Sequence, residues 1–140
     1  MPKDFEIKFL RVMDANYNRA KEGLRVCEDV CRYCFDDHKL TKSAKVLRHE
    51  LTSLLKPLGL TTLLVGRDIE GDVGQQTIKE EKLRNGLEDI FYANIQRVKE
   101  SLRVLEEFVK LKNSKQAQGL KALRYRVYTF EKQVLVKLTK

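Results

Sequence analysis

The chain repeats itself, and that repeat constrains its fold more than any other feature. Residues 15–28 read ANYNRAKEGLRVCE and residues 93–106 read ANIQRVKESLRVLE, identical at nine of fourteen positions without a gap. The shared residues include Asn16/Asn94, Arg19/Arg97, Glu22/Glu100, Leu24/Leu102, Arg25/Arg103 and Glu28/Glu106. A second echo follows each copy: KVLRHEL at 45–51 matches KALRYRV at 121–127, with Leu47/Leu123 and Arg48/Arg124 in step. A period this long marks a duplicated supersecondary unit whose copies bury their apolar faces against each other.

The spacing of apolar residues says what the unit is. Leu10, Met13, Tyr17, Ala20, Leu24, Cys27, Cys31 and Cys34 step by threes and fours, the rhythm of one helical face. Phe91, Ile95, Val98, Leu102, Leu105 and Val109 repeat it. Second helices are carried by Leu40, Ala44, Leu47, Leu51 and Leu54, and by Leu120, Leu123, Val127, Phe130, Val134 and Leu138. Asp36 or Asp37 supplies a cap for the second helix, and Pro57-Leu-Gly59 ends it. The third opens at a capping box, Thr77 to Glu80, or at Asn85-Gly86; Asn113 or Ser114 caps the fourth. The expected fold is all-α: a four-helix bundle of two repeated helical hairpins joined by a long glycine-rich connection. It is read as one domain over 1–140, with repeat one at 5–57, the connection at 58–77 and repeat two at 78–139. Leu60–Val65 reads as a short extended run or as a loop packed on the bundle.

Charge narrows the partners. Lys and Arg number 28 against 20 acidic residues, a net charge of +8, which favours nucleic acid, acidic lipid or phosphorylated small molecules. Basic and acidic residues interleave along every helix and no nucleic-acid motif occurs, so nucleic acid is the weakest of these partners. No apolar run resembles a secretory signal or a membrane span, and three closely spaced cysteines in such a chain read as reduced thiols, which points to the cytoplasm.

Two groups of residues have the chemistry of a site. In Gly66-Arg67-Asp68-Ile69-Glu70-Gly71-Asp72-Val73-Gly74, the glycines let backbone amides approach an anion and Arg67 offers a planar fork for phosphate. Asp68 and Asp72 are hard oxygen ligands suited to Mg²⁺. The alternative is a solvated acidic turn, and the loop is not a GxxxxGK phosphate loop. The second group is duplicated. Asn16 and Arg19 on the first helix, and Asn94 and Arg97 on the third, flank the seam beside the small residues Gly23 and Ser101. A pseudo-twofold axis would turn these flanks toward one another, with Arg48 and Arg124 joining from the second and fourth helices to make a cationic pocket. Ordinary surface pairing is the competing reading. His49, next to Arg48, suits a phosphate contact or an acid, or simply the surface. Glu22, Glu28, Glu100, Glu106 and Glu107 lack the Glu-x-x-His spacing of a two-metal bundle site and read as solvated ion pairs. Cys27-x-x-x-Cys31-x-x-Cys34 has the spacing of a radical S-adenosylmethionine cluster motif but falls on an apolar helical seam, so core packing is the better reading.

The order DANYNRAKEGLRVCEDV, VLRHEL, GRDIEGDVG, ANIQRVKESLRVLEEF and ALRYRVYTFEK resembles a small helical domain of bacterial thiamine biosynthesis, found alone or fused to thiamine-phosphate synthase. The resemblance covers nearly the whole chain. It implies a hydroxymethylpyrimidine-phosphate kinase, which transfers phosphate from ATP, with Mg²⁺, to 4-amino-5-hydroxymethyl-2-methylpyrimidine phosphate. Members often carry the synthase label because of the fusions, though this chain lacks the length and strand–helix alternation of a barrel. On the kinase reading Arg67, Asp68 and Asp72 act on the transferred phosphate and its metal. Asn16, Arg19, Arg48, His49, Gly71, Asn94, Arg97 and Arg124 hold the substrates. The alternatives are a non-catalytic substrate-binding or docking module for thiamine-phosphate synthase, and a nucleic-acid-binding helical domain. Homodimerisation is left open.

Overall fold

A computed structural model describes residues 3–76 and 83–139. Every regular element among them is helical: α1 (Lys3–Asp29), α2 (His38–Leu55), the single turn α3 (Leu60–Leu63), α4 (Leu87–Val109) and α5 (Ser114–Leu138). The expected all-α bundle of two hairpins is what the chain forms.

The boundaries follow local chemistry. Asp37 is the cap of α2, its Oδ1 accepting from the Leu40 amide at 2.9 Å. Asn113 caps α5 in the same way through the Gln116 amide at 3.1 Å. Each satisfies one of the amides that a helix start leaves without a partner. Helix α4 begins after Gly86, with Glu88 and Asp89 in its first turn, where carboxylates suit the positive end of the helix dipole. The alternative Thr77–Glu80 capping box lies outside the described residues. Between α1 and α2 the chain widens into a π-helical turn, Val30–Cys34, with the Phe35 amide donating to the Val30 carbonyl at 3.1 Å.

The four long helices stand as a square in the order α1, α4, α5, α2, each antiparallel to its neighbours. Glu6 near the start of α1 pairs with Lys112 beyond the end of α4, and Asp37 at the start of α2 pairs with Lys137 near the end of α5. Helices α2 and α4 therefore occupy opposite corners and run the same way. The chain between them must travel the length of the bundle, a crossover that a simple up-and-down bundle does not need. It climbs along α1. Leu60–Val65 is no extended run: α3 is followed by a 3-10 turn, Leu64–Gly66, and Leu63 is buried. Gly66 lies flat on α1, where a Cβ would stand 2.6 Å from the Arg11 nitrogen and 2.9 Å from the Ile7 carbonyl oxygen.

One core runs through all four helices. Met13, Ala20, Leu24, Cys27, Leu51, Ile95, Val98, Leu102, Leu105, Leu120, Leu123 and Val127 are wholly enclosed. Cys34 is the exception among the seam residues: the π turn carries it off the buried face, and it is exposed. At the centre, α1 and α4 approach closely because Gly23 has no side chain; a Cβ there would meet Val98 Cγ2 at 2.7 Å and the Asn94 carbonyl oxygen at 2.9 Å. Ser101, its counterpart on α4, is also buried.

Candidate functional site

The connection and the outer flank of α1 enclose a cleft of about 710 Å³. Its floor is α1: Lys8, Arg11, Asp14, Ala15, Asn18, Arg19 and Glu22 recur every three or four residues along one polar stripe. Its wall is the loop, from Gly66 through Arg67, Asp68 and Ile69 to Asp72. The two are clasped by a bidentate pair. Arg67 Nε donates to Asp14 Oδ2 and Nη2 to Asp14 Oδ1, both at 2.7 Å. Asp14 is buried and also accepts from Asn18 Nδ2 at 3.2 Å. The hydrogen bonds to Asp14 raise the Arg67 guanidinium further above its ordinary value, so it is a permanent cation.

Of the residues singled out from sequence, this cleft gathers Arg19, Arg67, Asp68 and Asp72. Arg19 is exposed, with Nη1 3.4 Å from Asn16 Oδ1. The two aspartates shape the loop itself: Asp68 Oδ1 accepts from the Gly71 amide at 2.8 Å and Asp72 Oδ1 from the Gly74 amide at 2.9 Å. Gly71 is exposed on the loop. Among the described residues no three His, Cys, Asp or Glu side chains converge to hold a metal ion.

The remaining residues lie elsewhere. Asn16 Nδ2 donates to the Val12 carbonyl at 2.9 Å and Asn94 Nδ2 to the Ile90 carbonyl at 2.8 Å, the same bond in both copies. Arg97 is exposed on α4 and His49 on α2. Arg48 and Arg124 do not meet. Arg48 Nε reaches Glu28 Oε1 at 3.2 Å and Arg124 Nε reaches Glu106 Oε1 at 3.1 Å, each bridging the two helices of its own hairpin. Glu28 and Glu106 are therefore not solvated; both are buried against an arginine from the partner helix. A larger groove of about 860 Å³ lies between α2 and α5, and none of these residues lines it.

Lys8, Arg11, Asp14 and Asn18 on the cleft floor carry no motif that marks them, and Glu22, expected only as a solvated ion pair, joins them there. Their signal was the polar periodicity of α1 opposite its apolar seam. The cleft is also not the strongly cationic pocket envisaged: Lys8, Arg11, Arg19 and Arg67 face Asp14, Glu22, Asp68 and Asp72. Such a lining suits a ligand that is anionic at one end and a hydrogen-bond donor at the other.

Comparison with known proteins supplies context for this geometry. A thiamine-phosphate synthase of Synechocystis is 42% identical over 126 residues, 89% of this chain and 36% of that relative. One from Nostoc punctiforme is 40% identical over 126 residues, 89% of this chain and 35% of the relative. One from Rhodopirellula baltica is 36% identical over 131 residues, 92% of this chain and 35% of the relative. The chain thus spans about a third of the length of these relatives. No solved structure matches significantly. These names overturn the expected hydroxymethylpyrimidine-phosphate kinase: the relatives are called synthases, and a different activity is indicated for them. The ThiD2 family matches residues 11–133, nearly the whole bundle, and the chain belongs to that family.

Proposed function

We propose that this chain serves thiamine biosynthesis as a non-catalytic module, holding a phosphorylated aminopyrimidine and docking beside thiamine-phosphate synthase. The cleft along α1 is the observation that carries this reading. Its guanidinium and ammonium groups match a phosphate, while Glu22 offers an acceptor to an exocyclic amine. The arginines on the other faces, Arg48 and Arg124, are engaged with buried carboxylates and hold the hairpins together. The relatives' names supply the pathway.

The test is calorimetric titration of the chain with 4-amino-5-hydroxymethyl-2-methylpyrimidine phosphate, followed by an assay for the diphosphate with ATP and Mg²⁺ present. Binding without turnover is expected. Arg19→Ala weakens binding about tenfold, the loss of one charged contact. Asp72→Asn leaves affinity nearly unchanged, because its carboxylate is occupied with the Gly74 amide. Absence of binding, or formation of diphosphate, sinks the reading.

A further inference from the structure

The internal repeat shows what one surface of the bundle lacks. Matching the copies places Met13 opposite Phe91, Asp14 opposite Tyr92, Thr52 opposite Tyr128, Leu55 opposite Glu131 and Gly59 opposite Leu135. In repeat one this surface is covered. Helix α2 stops, the chain turns through Lys56–Leu58, and the segment 59–66 folds down over α1. Leu63 is 1% exposed beneath it, with Met13 and Leu55 both at 0%. In repeat two α5 continues straight to Leu138 instead. No described residue takes the place of Leu63. What remains is a groove of about 240 Å³ whose apolar wall is Phe91, Tyr92, Tyr128, Leu135 and Leu138, with Glu88, Glu131 and Lys132 also lining it. Tyr92 is 61% exposed, Leu135 48% and Tyr128 42%.

We propose that this groove is the docking face for thiamine-phosphate synthase and receives a short apolar helical turn from it. The inference rests on the reading above that the chain works beside that enzyme. Repeat one shows the chemistry of the occupant: a Leu-x-x-Leu turn, as Leu60 and Leu63 form, followed by a cation, as Arg67 follows and lands on Asp14. At the matching place in repeat two stand the Tyr92 ring and, one helical turn before it, the Glu88 carboxylate. Both attract a cation, the ring through its face and the carboxylate through its charge. The length of the relatives supports the choice of partner. The matched part is about a third of each, so the rest of the polypeptide is tethered beside this bundle and meets it at high effective concentration. A helical turn laid into an apolar groove is an established way for one protein to hold another.

The experiment measures binding of the full chain to thiamine-phosphate synthase from the same organism, by titration calorimetry and sedimentation velocity. Leu135→Arg charges the groove at a half-exposed site and should weaken the complex at least tenfold. Val136→Arg, an adjacent and equally exposed change that lines the α2–α5 groove instead, should leave it unaltered. Thermal melts and pyrimidine-phosphate titrations of both variants should match the parent chain, which separates loss of docking from loss of fold or cleft. Tight binding that Leu135→Arg does not weaken, or that both variants weaken equally, overturns this face while the docking role stands. If the parent chain forms no complex, the docking role and this face fall together, and pyrimidine binding is judged by its own titration. Self-association abolished by Leu135→Arg, with synthase affinity unchanged, makes the occupant a second copy and overturns the proposal.

Discussion

Repeat one and repeat two keep the same buried device and differ at its outer end. In each, a glutamate on the first helix accepts from an arginine on the second, while a second arginine one turn earlier approaches its other oxygen. Repeat one has Arg48 on Glu28 at 3.2 Å and Arg25 at 3.6 Å; repeat two has Arg124 on Glu106 at 3.1 Å and Arg103 at 3.3 Å. The outer ends have diverged. Arg124 also donates to the Tyr128 hydroxyl at 3.0 Å and lies 5.2 Å from the Tyr125 ring centre. Repeat one has Thr52 and His49 at those places. Glu28 Oε2 is buried without a hydrogen bond, whereas Glu106 Oε2 accepts from Arg103. The hairpin thus tolerates wide variation on its outside while the interior charge pair stays fixed. A buried pair is expensive to break because the survivor is left without its counter-charge.

The largest test of this comparison removes the glutamates one at a time. Glu106→Ala should cost about 3–5 kcal/mol in urea denaturation, since it strands Arg124. Glu28→Ala should cost less, because one of its oxygens is already unsatisfied in the native state. Equal losses would show that the unbonded oxygen has no energetic consequence. A smaller effect comes from the point where the two copies touch. Gly23→Ala forces a methyl against Val98 and the Asn94 carbonyl and should destabilise the chain by about 1–3 kcal/mol. Ser101→Ala, the equivalent change on α4, removes volume instead and should shift stability by less than about 0.5 kcal/mol, helped by alanine's helix preference. The smallest effect is in pH dependence. Burial pushes the Cys31 thiol up to about 12, with Asp37 and Glu28 adding to the shift, and raises Cys27 further. Unfolded thiols ionise near pH 8.5 and the native ones do not, so stability should decline as pH rises above about 9. Cys31→Val installs the residue of the second copy, Val109, and should flatten that decline in denaturation curves recorded at pH 8 and 10.

The helices were legible because their apolar residues keep step with the helical turn. Of the seam residues named from sequence, only Cys34 became exposed, and the π turn that moved it leaves no trace in composition. Glu28 was partly legible: it stands one turn beyond Leu24 on the buried side. Its charge argued for solvent, and only the neighbouring helix reveals the arginine that makes burial tolerable. The cleft was legible from one side. Arg67, Asp68 and Asp72 were marked by their glycine-rich setting, but the α1 stripe that faces them looks like any solvated helix flank. Which flank a crossover climbs is decided by the arrangement of all four helices, and local pattern does not encode it. For the same reason Arg48 and Arg124, duplicated and cationic, were drawn toward a shared pocket that the square arrangement keeps apart.

The antiparallel contact between α1 and α4 has the form of a two-fold interface between identical subunits: the same patch meets itself, Gly23 against Asn94 and Val98. A single hairpin of this kind, present twice, would assemble as an isologous dimer with no connection at all. Joining the halves turns a concentration-dependent association into an intramolecular one, at an entropic cost that grows only slowly with the length of the link. It also frees the two halves from identity. Once they share a chain, one side can gain a crossover and a cleft while the other keeps an open aromatic groove, asymmetries that a homodimer of hairpins would have to carry twice or not at all.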